Sequence, residues 1–143
     1  MPDEKYVFLE HTADAKFEAR GRTLEEAFAN AALATAALMW DPAAIAPKIE
    51  VPVSARGLDP EQLLVRFLEE ILYLVETRFF LLASAEDVEI ERRGEEYLLR
   101  AVFRGDTNSG AYETHGGVKA ITYNEMDIRR TDDGWAVRVV VDV

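Results

Sequence analysis

Apolar and polar residues alternate from Tyr6 to Glu10 and again from Asp14 to Arg20, which predicts two strands. In the second, Ala15, Phe17 and Ala19 face one way and Asp14, Lys16, Glu18 and Arg20 face the other. Gly21 ends it, and Thr23-Leu24-Glu25-Glu26 has the spacing of a capping box. The period then becomes helical through Leu24, Ala27, Phe28, Ala31, Leu38 and Met39. From Ala31 to Trp40 nearly every residue is Ala or Leu, and small side chains let a helix lie close against a sheet. Asp41-Pro42 stops this helix, and 42–47 read as a loop. Ile49, Val51 and Val53 alternate as a short strand. Asp59-Pro60 then supplies an N-cap and a proline at the first helical position. The helix it opens, over about 60–78, has one apolar stripe of Leu64, Phe67, Leu68, Ile71, Leu72 and Val75.

Strands dominate the remainder. Phe79 to Leu82 is bulky and apolar, Val88 and Ile90 lead to a turn at Gly94, and Tyr97 to Arg104 returns. Residues 105–117 contain Gly105, Asn108, Gly110, Gly116 and Gly117 and read as a loop. Val118 opens a long strand reaching about Arg129, Thr131-Asp132-Asp133-Gly134 is a hairpin turn, and Trp135, Val137, Val139 and Val141 alternate to the end. The order β-β-α-β-α-β-β-β-β predicts an α+β fold, with two helices packed on a largely antiparallel sheet in a single domain over residues 1–143.

Composition narrows the chemistry. The 143 residues include no Cys, which removes disulfides, thiolate zinc sites and cysteine nucleophiles and fits a reducing, cytoplasmic setting. The start of the chain shows no signal-peptide pattern, and no apolar run approaches the roughly 20 residues of a membrane span. Sixteen Lys plus Arg against 27 Asp plus Glu leave a net charge of −11. That argues against a nucleic-acid grip built on phosphate neutralisation, and suits a basic protein partner or a hard cation. No GxGxxG, P-loop, HExxH or GxSxG signature is present.

Three features could carry function, and each also has a plain structural reading. His11-Thr12-Ala13-Asp14 joins two strands, where Thr and Asp commonly bond to nearby backbone. Val141-Asp142-Val143 brings the Asp142 side chain and a terminal α-carboxylate onto adjacent residues, and converging anionic oxygens suit Ca²⁺ or Mg²⁺; an exposed acidic end is the alternative. Lys119 stands among apolar residues in Val118-Lys119-Ala120-Ile121-Thr122-Tyr123, either as a contact residue or with its stem covering apolar surface.

Together with Thr23-Leu24-Glu25-Glu26-Ala27-Phe28, Leu63-Leu64-Val65 and Ile71-Leu72-Tyr73-Leu74, these features resemble the archease family over essentially the whole chain. The resemblance implies a small accessory protein of the GTP-dependent, RtcB-class tRNA-splicing RNA ligase. Such a protein promotes guanylylation of the ligase's active-site histidine and allows multiple turnover. It also implies chaperone-like modulation of a tRNA methyltransferase. The family's divalent-metal site, usually described with calcium, maps onto Asp14, Asp142 and Val143. His11, Lys119 and Tyr123 are the expected partner contacts, with Lys119, Ile121 and Tyr123 sharing one strand face. One position departs from the pattern: the family usually has His after the Tyr of this segment, and here Asn124 follows Tyr123. Asn keeps a hydrogen-bonding head and loses a group that titrates near neutral pH.

The expectation is therefore a metal-binding activator with no turnover of its own, no direct sequence-specific contact to nucleic acid and no membrane association. A small metal-dependent hydrolase is the rival, with carboxylates and His11 holding a cation that activates water. It lacks an evident second base or nucleophile.

Overall fold

The computed structural model describes residues 4–9 and 14–143. Among them the chain runs β1 (Tyr6–Leu9), β2 (Ala15–Gly21), α1 (Leu24–Ala37), β3 (Ile49–Gly57), α2 (Pro60–Arg78), β4 (Phe80–Arg93), β5 (Glu96–Thr107), β6 (Ala120–Thr131) and β7 (Gly134–Asp142). The expected end of the first strand at Glu10, and the segment His11-Thr12-Ala13, lie outside the described residues.

Both helices begin where the capping signals stand. Thr23 Oγ1 accepts from the Glu26 N–H at 3.1 Å, and Glu26 Oε1 accepts from the Arg22 N–H at 3.0 Å. The Asp59 carboxylate accepts from the Gln62 N–H at 2.7 Å, while the Gln62 amide oxygen accepts from the Leu58 N–H at 2.8 Å. Each cap satisfies a backbone donor that the helix leaves open and contributes about 1 kcal/mol.

The predicted α+β class is present, and its strands divide between two antiparallel sheets, ordered β1-β2-β7-β6 and β3-β5-β4. Alternation marks a strand as half-buried but does not say which strand it pairs with. Each helix packs on both sheets: α1 on β2, β7 and β4, and α2 on β3, β4, β5 and β6. Ala27, Ala31, Ala32 and Ala34 are fully buried along α1, so its backbone can approach closely. Phe28 of α1, Phe67 of α2 and Phe103 of β5 tie the layers together, with ring centroids 6.1 and 5.5 Å apart in succession. Full burial of one such ring contributes about 1.5–3 kcal/mol.

Two strands are longer and less regular than alternation predicts. β4 is one strand with register shifts at Leu82/Ser84 and Glu86/Glu89, which make its apolar pieces read as separate segments. β6 is interrupted between Thr122 and Asp127. Ile121 and Ile128 both pack on the core although they are an odd number of residues apart, and the bulge between them makes that possible. Phe79, expected to begin a strand, instead caps α2 in the left-handed conformation (φ 52°, ψ 33°) and donates its N–H to the Leu74 and Val75 carbonyls. Glycine usually fills that position.

Candidate functional site

β2 and β7 form the central pair of the four-stranded sheet. Ala15 lies opposite Val141, Lys16 opposite Val140 and Glu18 opposite Arg138. Asp14, in a bend just before β2, and Asp142, the last residue of β7, flank the Ala15–Val141 pair. Directly opposed residues of antiparallel strands share a face, with Cβ atoms about 4.5–5.5 Å apart. On the other side of β7, Ala120 is opposite Asp142, and the Lys119 N–H donates to the Asp142 carbonyl at 2.7 Å. Asp14 is half-buried, and Asp142 and Val143 are exposed.

Such a cluster would present oxygen donors only, which is the chemistry of a hard cation such as Ca²⁺ and not of zinc. Among the described residues, no three His, Asp or Glu side chains gather within reach of one ion. Asp14 and Asp142 by themselves would offer carboxylate oxygens only. The donor set therefore suits a hard cation in kind.

The same face of the sheet carries a chain of charges. Lys16 donates to Glu125 Oε1 at 2.9 Å, and Glu125 stands in the β6 bulge at φ 52°. Glu18 accepts from Arg20 at 2.9 and 3.1 Å through one oxygen and from Arg129 at 2.8 Å through the other. Arg129 reaches Asp127 as well, at 2.9 Å. Glu18 is only 7% exposed. Burial pushes its carboxyl upward, but the hydrogen bonds and charges of Arg129 and Arg20 together outweigh burial and hold it below the ordinary carboxylate range.

Lys119, just before β6, and Tyr123, within the bulge, are both exposed. Ile121 is 6% exposed and belongs to the core, so the expected face shared by Lys119, Ile121 and Tyr123 does not form. Asn124 is exposed beside Tyr123, and its N–H donates to Thr122 Oγ1 at 3.3 Å. His11 lies outside the described residues. Sequence reasoning missed Lys16 and Glu125. The signal was the phase slip between Ile121 and Ile128, which marks the bulge that carries Glu125.

A second feature is a groove of about 300 Å³ between the end of α1, α2 and the 108–119 loop, with Met39, Leu72, Val75, Phe79 and Val118 among its walls. The loop is pinned by the Asn108 N–H to the Phe79 carbonyl at 2.8 Å and the His115 N–H to the Met39 carbonyl at 2.7 Å. Phe79 is 66% exposed at its rim.

Residues 6–143 match the model of the Archease protein family. The protein archease of Methanosarcina acetivorans is 40% identical over 148 residues, covering 100% of both chains. A Methanobacterium thermoautotrophicum protein with a known solution structure superposes with a TM-score of 0.83 at 31% identity, over 97% of this chain and 99% of that one. A Thermotoga maritima archease, described as a possible chaperone, shares the fold with a TM-score of 0.58 at 20% identity, over 94% of each chain. With its architecture and sequence matched from end to end, the chain belongs to the archease family.

Proposed function

We propose that this protein is an accessory factor that binds a divalent cation, calcium in the first instance, through Asp14, Asp142 and the Val143 α-carboxylate. In that state it promotes guanylylation and multiple turnover of an RtcB-class tRNA-splicing RNA ligase. The observation that supports this is the pairing of β2 with β7, which sets Ala15 opposite Val141, the neighbours of Asp14 and Asp142, in a chain of this family. β2–β7 pairing would fix the spacing of the two carboxylates, so little ordering remains to be done on binding. A hard cation held there supplies a compact positive charge with coordination positions open to a partner. Lys119 and Tyr123, exposed at the same end of β6, would contact the ligase along with His11. The net charge of −11 would steer encounter with a basic, RNA-handling partner.

The protein itself has no turnover in this reading. The test uses radiolabelled GTP with the ligase alone, this protein alone and the mixture. Label should appear on the ligase chain, faster in the mixture, and the stimulation should disappear with Asp14→Ala. Label on this chain, or GTP hydrolysis by it alone, would replace the activator with the metal-dependent hydrolase. Extending the chain beyond Val143 should weaken calcium binding, and unchanged affinity would remove that carboxylate from the ligand set.

A chaperone-like role toward a tRNA methyltransferase draws on a different feature, the groove rimmed by Phe79. Phe79→Ser should abolish any protection of the methyltransferase from aggregation and leave ligase stimulation unchanged.

A further inference from the structure

At the Gly21 end of β2, seven residues of strand away from Asp14, a cleft of about 520 Å³ opens between the start of α1 and the β6–β7 turn. Asn30 forms part of its wall. This α1 residue is only 8% exposed, and its Nδ2 donates to the Arg20 carbonyl at 2.6 Å. A carbonyl accepts and never donates, so that bond fixes which way the amide is turned. The Oδ1 accepts from no donor among the described residues, and it is not sealed from solvent either. A nearly buried acceptor, held in one orientation and open to a cleft, suits an incoming N–H or O–H.

The rest of the lining adds to this. Trp135 is half-buried, with the Arg130 guanidinium 5.5 Å from its ring centroid. Gly21, directly opposite on β2, has no side chain to lie over the indole, and none fits there because a Cβ would collide with the Ala27 backbone nitrogen. Arg22 and Asp133 stand exposed at the mouth, and neither forms an ion pair among the described residues. Basic and acidic side chains are equal in the lining, three of each, in a chain of net charge −11.

This set is complementary to a nucleotide. A base offers a flat face to an aromatic ring and an amino group to an amide oxygen. A carboxylate accepts from ribose hydroxyls, and a guanidinium matches a phosphate. A long nucleic-acid strand fits poorly, because each added phosphate meets the field of an acidic chain.

We propose that this cleft binds a single nucleotide whose base carries an amino group. Asn30 Oδ1 accepts from the base, Trp135 packs on it, Asp133 holds the ribose and Arg22 the phosphate. The site is independent of the cation-binding reading above.

AMP titrated into ¹⁵N-labelled protein tests it through the indole N–H signals of the two tryptophans. Trp40 is enclosed, with its Nε1–H donated to the Leu82 carbonyl at 2.9 Å, so its signal should stay while that of Trp135 moves. Purine riboside monophosphate, which is AMP without the amino group, should bind about tenfold more weakly. Arg22→Gln should weaken AMP about fivefold and leave adenosine unchanged. Trp135→Leu should weaken both about tenfold, with melts confirming that each variant is folded. A Trp135 signal that stays still at millimolar AMP would overturn the proposal. Equal binding of AMP and purine riboside monophosphate would overturn it by removing Asn30 from the base. Inorganic phosphate competing as well as AMP would reduce the site to an anion contact. Oligoadenylate bound more tightly than AMP would replace the single-nucleotide site with a surface that tracks RNA.

Discussion

The two sheets dress their outer faces with the same kinds of ion pair, yet in different surroundings. On the β1-β2-β7-β6 sheet, Glu18 is almost enclosed, with its side chain 9% exposed and gripped by Arg20 and Arg129. On the β3-β5-β4 sheet, Arg100 and Glu89 meet at a similar 2.9 Å, but their side chains are 75% and 66% exposed. Distance alone would rank these contacts as equals. Burial separates them, because water and salt screen the second pair more than the first, whose carboxylate is sheltered. The sheltered network lies on the sheet whose β7 ends at Asp142, and the open pairs lie on the other sheet.

The sharpest way to break this contrast is Glu18→Ala. It takes from Arg20 its ion-pair partner Glu18 and leaves Arg129 only Asp127, beside Arg138, whose Nε is already buried without a hydrogen-bond partner among the described residues. Both arginines keep some contact with water, so the expected loss is about 2–3 kcal/mol, below that of a fully buried pair. In a domain of this size that lowers the melting temperature by about 8–10 °C. A loss under about 0.5 kcal/mol, the scale of a surface pair, would erase the distinction between the faces.

Acid provides an intermediate effect. Because the folded state holds the Glu18 carboxyl below its ordinary range, the stabilisation is complete above that range and is lost as pH falls through the folded value. The stability difference between wild type and Glu18→Gln should therefore be full above about pH 5 and shrink below about pH 4. Denaturant titrations at several pH values check it, and a constant difference would contradict the assignment. The smallest effect belongs to Glu89→Ala, expected within about 0.5 kcal/mol of wild type and smaller still in high salt.

Local signals proved the most legible. Thr23 and Asp59 cap the helices that the apolar periods outline, and the β6–β7 hairpin turns within Thr131-Asp132-Asp133-Gly134 as expected, with Asp132 and Asp133 at its tip and Gly134 already paired with Thr131. Pairing was not legible, because alternation carries no information about neighbours. The division into two sheets depends on which strands meet, and the assignment of Asp14, Asp142 and Val143 came from the family resemblance. Bulges hid the rest. Each extra residue in β4 and β6 reverses which face the following side chains occupy, so the phase slip between Ile121 and Ile128 marks a bulge but not that Glu125 reaches Lys16 across β7. Phe79 was obscure for another reason, since an aromatic residue in a left-handed helix cap runs against local preference.

The pairing of β2 with β7 also bears on when the molecule becomes whole. Ala15 and Val141 are partners although 126 residues separate them (141 − 15). Contacts so distant along the chain form late and slow the search for the native state. During synthesis β3, α2, β4 and β5 leave the ribosome well before β7, so their sheet can assemble first and β2 must wait beside it. Ala15 meets Val141 only after β7 has slotted between β2 and β6. A chain that stops short of β7 would leave β2 and β6 without the strand that joins them, and the four-stranded sheet would not close.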